Sequence, residues 1–306
     1  MNQPLVSLIT VNFNQPEVTL ELVASLDKQD YQHIEIIVVD NGSKRPFTSS
    51  MTQNTKVKVI RSDKNLGFAG GNNLGIAEAK GDFLFFVNND TEIPQNTIQS
   101  LVERLKNDSS LGAVSPLIHY FDQPHLTQFA GYTPMNLITG RNSAIGYKQQ
   151  IVVENKITPS SFLHGAAMMV RKSVIGLVGL MSDNYFLYYE ELDWCQRMKD
   201  QGYQLAVDYR SSILHKESIS TGKDSTLMAY FKTRNRILYM RKNAPTIFWL
   251  IFCAFFLFFS LPKTLINYLR HQQYEHIKNV VAGIWWNIQE PVSSARLGYK
   301  YDSLLG

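Results

Sequence analysis

Cysteine is nearly absent from this chain. Only Cys195 and Cys253 occur in 306 residues, with no CxxC pair, so neither a disulfide scaffold nor a zinc knuckle is expected. Both thiols are expected in the core of a protein kept in a reducing compartment. No G-x-G-x-x-G stands in register and no Walker A loop occurs, which removes two common phosphate-cradling signatures. Internal repeats and low-complexity tracts are also missing. Met1-Asn2-Gln3-Pro4 lacks a basic n-region and a strand pattern begins at once, so no cleavable leader is expected. Charged residues make up only 18% against 44% hydrophobic, the composition of a folded protein.

Acidic residues thin out towards the C-terminus. Residues 232–306 hold ten Lys and Arg against three acids, a net of +7, which leaves residues 1–231 at −3 within the overall +4. Aromatic residues reach 12%. A basic, aromatic tail on a slightly acidic body points to an anionic membrane surface as partner rather than nucleic acid.

The first 116 residues alternate strand and helix patterns. Leu5–Phe13, Ile34–Val39, Val57–Arg61, Phe83–Val87 and Leu111–Ser115 read as strands, and Pro16–Lys28, Gly71–Ala79 and Pro94–Lys106 as helices. Such alternation implies an α/β fold with a doubly wound, mainly parallel sheet flanked by helices. Pro16 suits a first helical turn with Asn14 as its cap. Residues 117–160 lose the rhythm and read as an irregular excursion over the crevice. Order resumes with a strand at Phe162–Val170, helices at Lys172–Val178 and Glu190–Gln201, and strands at Gln204–Val207 and Ile213–His215. Gly202 suits the position just past a helix end.

Asn243 to Pro262 is an uncharged run of 20 residues, close to the roughly 20 a helix needs to cross a bilayer. A single crossing would leave five basic residues on the far side, against the positive-inside tendency. Leu265–Trp286 reads as an amphipathic helix with Trp285 and Trp286 as interfacial anchors. The expected arrangement is therefore a catalytic domain at 1–240, split into a nucleotide-binding half at 1–116 and an acceptor-side half at 117–240. The tail at 241–306 would hold it, peripherally or monotopically, on the cytoplasmic face of the membrane.

Three clusters can carry chemistry. Phe85-Phe86-Val87 runs straight into Asn88-Asn89-Asp90. Strands this apolar are covered on both faces, and their carboxyl ends open into the ligand crevice of an α/β sheet. A carboxylate there can hold a hard cation against phosphate oxygens, although Asn and Asp are also ordinary turn residues. Asp40 ends Ile36-Ile37-Val38-Val39 in the same way, where it can meet a ribose or base edge. Asn65–Asn73 is glycine-rich and leads into a helix, so its backbone N–H groups could face phosphate; a plain strand-to-helix turn reads identically. Glu190-Glu191-Leu192-Asp193 stands at a helix start, where the dipole alone favours carboxylates. The aromatic run Tyr185–Tyr189 before it could desolvate one of them towards a general base. His215 ends a later apolar strand that could share the crevice with Asp90.

In this order and spacing, the set resembles the inverting glycosyltransferases of family 2, with the GT-A fold, and most closely the rhamnosyltransferase-like members that build bacterial surface polysaccharides. The segments that carry it, within roughly residues 4–240, begin with Leu8–Asn14, Val38–Ser43, Asn65–Gly75 and Asn88–Asp90. Gly165-Ala166, Tyr189–Cys195 and His215 complete the set. The resemblance implies that Asp40 binds the nucleotide base, with Thr10 and Asn12 lining its pocket and Asn72 and Asn89 nearby. It implies that Asp90, with Asn88 and His215, holds Mg²⁺ or Mn²⁺ against the donor diphosphate, and that Glu191 is the catalytic base. Tyr189, Glu190, Asp193 and Trp194 would support the base or meet the acceptor. The chain departs from the family at three points. Asn88 replaces the usual first Asp, Glu191 the usual Asp, and Asn72 stands where many relatives carry Arg. The implied reaction moves a sugar, with dTDP-rhamnose as leading donor, onto a saccharide acceptor that is polyprenyl-linked. Two rivals remain: a nucleotide-sugar-binding membrane protein with weakened catalysis, and a nucleotidyltransferase. The second lacks support, because Asn12-Phe13-Asn14-Gln15-Pro16 has neither a glycine loop nor a basic residue.

Overall fold

The computed structural model describes residues 3–216 and 225–304. In chain order it runs β1 (Val6–Asn12), α1 (Pro16–Leu26), β2 (Ile34–Asn41), β3 (Val57–Ser62), α2 (Gly67–Glu78), β4 (Phe83–Val87), β5 (Thr91–Glu92) and α3 (Thr97–Asn107). β6 (Leu111–Tyr120), β7 (Thr127–Phe129), β8 (Ile157–Pro159), β9 (Ala167–Arg171), α4 (Lys172–Val178), α5 (Glu190–Asp200) and β10 (Gln204–His215) follow. Four helices close the chain: α6 (Thr226–Asn243), α7 (Thr246–Phe255), α8 (Leu261–Arg270) and α9 (Tyr274–Gln289).

All the strands join one sheet, in the order β3-β2-β1-β4-β9-β6-β10-β5, with β7 beside β6 and β8 beside β10. β3, β2, β1 and β4 are parallel, as βαβ alternation dictates. β4 is buried at all five positions, which accounts for its unbroken apolar sequence. The second half of the sheet is mixed. β9 is the return leg of the irregular excursion and runs antiparallel to both β4 and β6. β10 is one bulged strand rather than two, with register shifts between Gln204 and Leu205 and between Asp208 and Ser212. The result is the α/β, GT-A type of architecture expected, with an apolar helix near the C-terminus.

Two local expectations need correction. Asn14 does not cap α1; it adopts φ 58°, and its Oδ1 accepts from the Lys44 and Arg45 N–H groups. The glycine run is not an open loop either, because α2 already begins at Gly67. A Cβ on Gly71 would lie 2.9 Å from Val11 Cγ1, and one on Gly75 2.4 Å from Ile9 Cγ2. These glycines let α2 press onto β1, a packing role.

α7, a π turn at Phe256–Ser260 and α8 form one helix from Thr246 to Arg270. Pro262 lacks the N–H that would close onto Phe258, and the π turn just before it absorbs that missing bond. The helix is long and apolar enough to cross a membrane by length and composition, and only 6% of its most apolar window is buried. The amphipathic segment is broken at His271–Gln273, and α9 packs along α6 rather than lying free. Trp286 is therefore not an interfacial anchor. It is 3% exposed, with the Arg234 guanidinium 4.0 Å above its ring, whereas Trp285 remains exposed. The boundary expected at residue 240 falls inside α6.

Candidate active site

The parallel strands deliver their carboxyl ends to one edge. Asn12 and Asp40 are register partners across β1 and β2. Asp40 is fully buried, and its Oδ1 accepts from Asn12 Nδ2 at 2.7 Å and from the Phe47 N–H at 3.2 Å. The network continues through two residues of other elements. Thr19 Oγ1 donates to Asn12 Oδ1 at 2.9 Å, and Asn89 Nδ2 donates to Thr19 Oγ1 at 3.0 Å. Thr19 on α1, unflagged by the sequence, thus couples the Asp40 end of the crevice to the Asn88–Asp90 turn. Asp40 Oδ2 and Thr10 Oγ1 are buried without partners. Unsatisfied buried oxygens on one crevice wall are where a donor edge of a ligand would bring most benefit.

The start of α2 offers less to phosphate than its sequence suggests. The Leu66 N–H donates to Asn41 Oδ1, the Gly67 N–H to Asn65 Oδ1 and the Phe68 N–H to the Phe186 carbonyl. Asn72 is buried, with Nδ2 bonded back to the Phe68 carbonyl at 2.9 Å. The Phe68–Phe186 bond ties the loop to the aromatic run, and the others hold it to β2 and to itself.

Topology, not sequence proximity, joins Asp90 to His215. β5 follows Asp90 directly and pairs antiparallel with the end of β10, placing Thr91 opposite His215. His215 Nε2 lies 3.2 Å from Asp90 Oδ1 and 3.4 Å from Asn88 Nδ2. Its other nitrogen, Nδ1, lies 2.7 Å from Gln128 Oε1. A glutamine oxygen only accepts, so Nδ1 carries a proton, and in the neutral imidazole this leaves Nε2 with the lone pair. Asp90 Oδ1 is buried and makes no hydrogen bond. A carboxylate oxygen and an imidazole nitrogen therefore converge, a donor set whose chemistry fits a divalent cation. Among the described residues no cluster of three His, Cys, Asp or Glu exists. One or two protein ligands plus substrate phosphates is the ordinary complement for Mg²⁺.

Beyond His215 the site continues through aromatic rings to the glutamates. His164 and His215 lie 6.1 Å apart, and Tyr132 stacks on His164 at 6.1 Å and 14°. The Ala166 N–H donates to His164 Nδ1; burial first, then the neighbouring His215 ring, pushes this imidazole down to about 3. Glu191 heads α5 and lines a groove of about 1380 Å³. Burial raises its carboxyl to about 7, and its Oε2 has no partner. Glu190 is 4% exposed and is pushed well above the carboxylate range, first by burial and then by Glu191. Gly165 leaves the space between Phe68 and Glu191 open: a Cβ there would lie 3.3 Å from the Phe68 ring and 4.0 Å from Glu191 Cγ.

Asp193 and Trp194 face elsewhere. Asp193 meets Lys242 at 2.8 Å and Arg197 at 3.1 Å. Burial acts to raise its pKa, but these cations outweigh burial and hold it low. Trp194 is fully buried, donating to the Gly179 carbonyl at 2.9 Å and meeting Phe86 edge-on. Tyr189 lines the groove and donates to the Gly140 carbonyl. Phe186, Tyr188 and Tyr189 all have positive φ, costly for aromatic residues. Buried Asn235 on α6 holds this run, its Nδ2 donating to the carbonyls of Tyr185, Leu187 and Tyr188, each at 2.8 Å.

A family model described as "Glycosyl transferase family 2" matches residues 7–177, more than half of the chain. The protein belongs to that family. Its relatives include "dTDP-rhamnosyl transferase RfbF" of Shigella flexneri, 25% identical over 291 residues, 91% of this chain and 93% of that one. "N-acetylglucosaminyl-diphospho-decaprenol L-rhamnosyltransferase" of Mycobacterium tuberculosis is 24% identical over 249 residues, 74% of this chain and 81% of the relative. Among solved structures, GalNAc-T7 with UDP, GalNAc and Mn²⁺ superimposes with a TM-score of 0.58 at 15% identity. That match covers 79% of this chain, which spans about half (52%) of the solved protein.

Proposed function

We propose that this glycosyltransferase moves a sugar from a nucleoside-diphosphate donor to a hydroxyl of a lipid-linked saccharide, with inversion at the anomeric carbon. The observation that carries the reading is Glu191, a half-buried carboxylate raised to about 7 that lines the groove with a free oxygen. A base poised there can take the proton of an attacking hydroxyl near neutral pH. Burial and the neighbouring Glu191 push Glu190 towards its protonated form, and Asp193 is engaged by its cations, so Glu191 is the candidate best placed for the role.

Asp40, with Asn12 and Thr10, takes the base and ribose end of the donor, and Asn89 ties that wall to the diphosphate end. Asn72 is assigned beside them as a packing residue of that wall. Asp90 and His215, with Asn88 beside them, would hold Mg²⁺ or Mn²⁺; GalNAc-T7 was solved with Mn²⁺. When bound, the cation neutralises charge gathering on the departing diphosphate. Gln128 keeps the His215 lone pair turned towards Asp90. Tyr189 and Tyr132 offer ring faces to the acceptor saccharide. The RfbF relative supports dTDP-rhamnose as donor, and the mycobacterial relative supports a polyprenyl-diphosphate-linked acceptor. The exposed, apolar Thr246–Arg270 helix supports membrane association; attachment at the cytoplasmic face, lying in the interface, is part of the proposal.

A thermal-shift screen of nucleotide sugars with and without Mn²⁺ tests the donor assignment, since a ligand specific to the folded state raises Tm. The matching transfer product, examined by NMR for its anomeric configuration, tests inversion. A retained configuration, or stabilisation by no nucleotide sugar, would overturn the proposal.

A further inference from the structure

The groove that Glu191 lines is walled also by the helix Thr246–Arg270, through Phe255, Phe256, Phe258, Phe259 and Ile266. Its lining includes five cations, Arg141, Lys232, Arg236, Lys263 and Arg270, and a single acid, Glu191. Tyr189 lies within electrostatic reach of Arg236 and Arg141 and of Glu191. Arg236 in turn sits over the rings of Phe252 and Phe256, at 5.5 and 5.4 Å.

Arg236 is 6% exposed, yet no carboxylate pairs with it among the described residues. Its guanidinium donates to the Thr139 carbonyl and to Ser260 Oγ. Burial, and then the charge of neighbouring Arg141, push it down to about 10. A buried guanidinium without an anion, with a second beside it, is costly unless an anion arrives. Guanidinium forks match phosphate oxygens well.

We propose that Arg236 and Arg141 bind the diphosphate of a polyprenyl-diphosphate-linked acceptor, and that the phenylalanine face of the Thr246–Arg270 helix carries the first isoprene units. The spacing follows from chemistry: the sugar lies at Tyr189 and Glu191, the diphosphate at the arginines, and the hydrocarbon on the aromatic face. An unbranched anionic lipid headgroup would satisfy the cations but leave the Glu191 part of the groove empty. This assignment rests on the lipid-linked acceptor reading above and names the residues that would recognise that lipid.

The test measures binding rather than transfer. Farnesyl diphosphate, inorganic diphosphate and farnesol are titrated separately onto the full-length protein in detergent, with EDTA to silence the donor's diphosphate site. Farnesyl diphosphate should bind at least tenfold more tightly than either fragment. Arg141→Gln, an exposed change, should erase about tenfold of that preference, and Arg236→Lys should do so with its melting curve checked for folding. Equal affinity for inorganic diphosphate would overturn the aromatic track, and equal affinity for farnesol would overturn the arginine cradle. Displacement of farnesyl diphosphate by phosphatidylglycerol vesicles at matched phosphate would make the groove a general membrane contact and overturn the proposal. Failure of the lipid-linked acceptor reading shows up separately, as wild-type enzyme that transfers sugar to a soluble saccharide but never to its polyprenyl-diphosphate form.

Discussion

Replacing Glu191 by Gln should destroy transfer and, at alkaline pH, stabilise the fold. Gln keeps the shape and removes the charge. Glu191 rises from 4.5 to about 7 because burial disfavours its ionised form. Its folded pKa therefore exceeds its unfolded one, so the folded chain holds a proton that the unfolded chain releases as pH climbs through that window. Stability falls between about pH 4.5 and 7, with the full penalty above 7 and none below 4.5. At 1.36 kcal/mol per unit, the cost at pH 8 is about 3 kcal/mol, or about 5 °C in Tm for a chain of this size. Glu191→Gln should recover most of that at pH 8 and nothing at pH 4.5, as read by chemical denaturation or calorimetry at both values. Turnover should fall by about 10²–10⁴-fold, the usual worth of general-base assistance, while donor binding, read by thermal shift, persists. Wild-type kcat should climb as pH passes about 7. An equal Tm gain at both pH values would refute the burial argument. Turnover above a tenth of wild type would remove Glu191 from the base role.

Asp90→Asn and His215→Ala should each raise the Mn²⁺ concentration needed for half-maximal activity by about tenfold or more, and Gln128→Leu by a smaller factor because it loosens only the imidazole orientation; full activity in excess EDTA would sink all three. Asp193→Asn should cost about 3 kcal/mol in denaturant unfolding, because it leaves Lys242 and Arg197 without their buried counter-charge, and should leave the pH dependence of kcat in place. Truncation after Asn243 should give aggregated protein, since it strips α9 from α6 and bares Tyr230 and Phe231; a soluble, weakly active fragment would show that the tail helices only attach the enzyme.

Much of this site could be read from order along the chain. Asp40 and Asp90 follow apolar strands, and the Glu190–Asp193 cluster follows an aromatic run, positions that point to a crevice, while the choice of Glu191 within that cluster rests on the family resemblance. Other members left no such trace. Gln128 lies on a three-residue strand inside the irregular excursion, where no periodicity reports its direction. His164 directly precedes the Gly165-Ala166 pair, a position that could have drawn notice. Asn235 sits mid-helix among basic residues, and its work on three carbonyls is invisible without the aromatic run folded against it. The glycines of α2 misled for a related reason: a phosphate loop and a close helix–strand contact select the same residue.

The sequence by itself determined the local elements, the parallel half of the sheet and the identity of the carboxylates, because alternation, strand apolarity and turn residues are short-range signals. It also determined that one C-terminal helix is apolar enough to cross a membrane. Tertiary structure alone decided what those groups could do. The pairing of β5 with β10 made Asp90 and His215 neighbours across 125 residues of chain. Burial separated Glu191 from Glu190, and Lys242 with Arg197 took Asp193 out of play. The packing of α9 on α6 turned Trp286 into core and left the Thr246–Arg270 helix to wall the groove. Each of these depends on which distant groups share a low-dielectric space, and no window of sequence contains both partners.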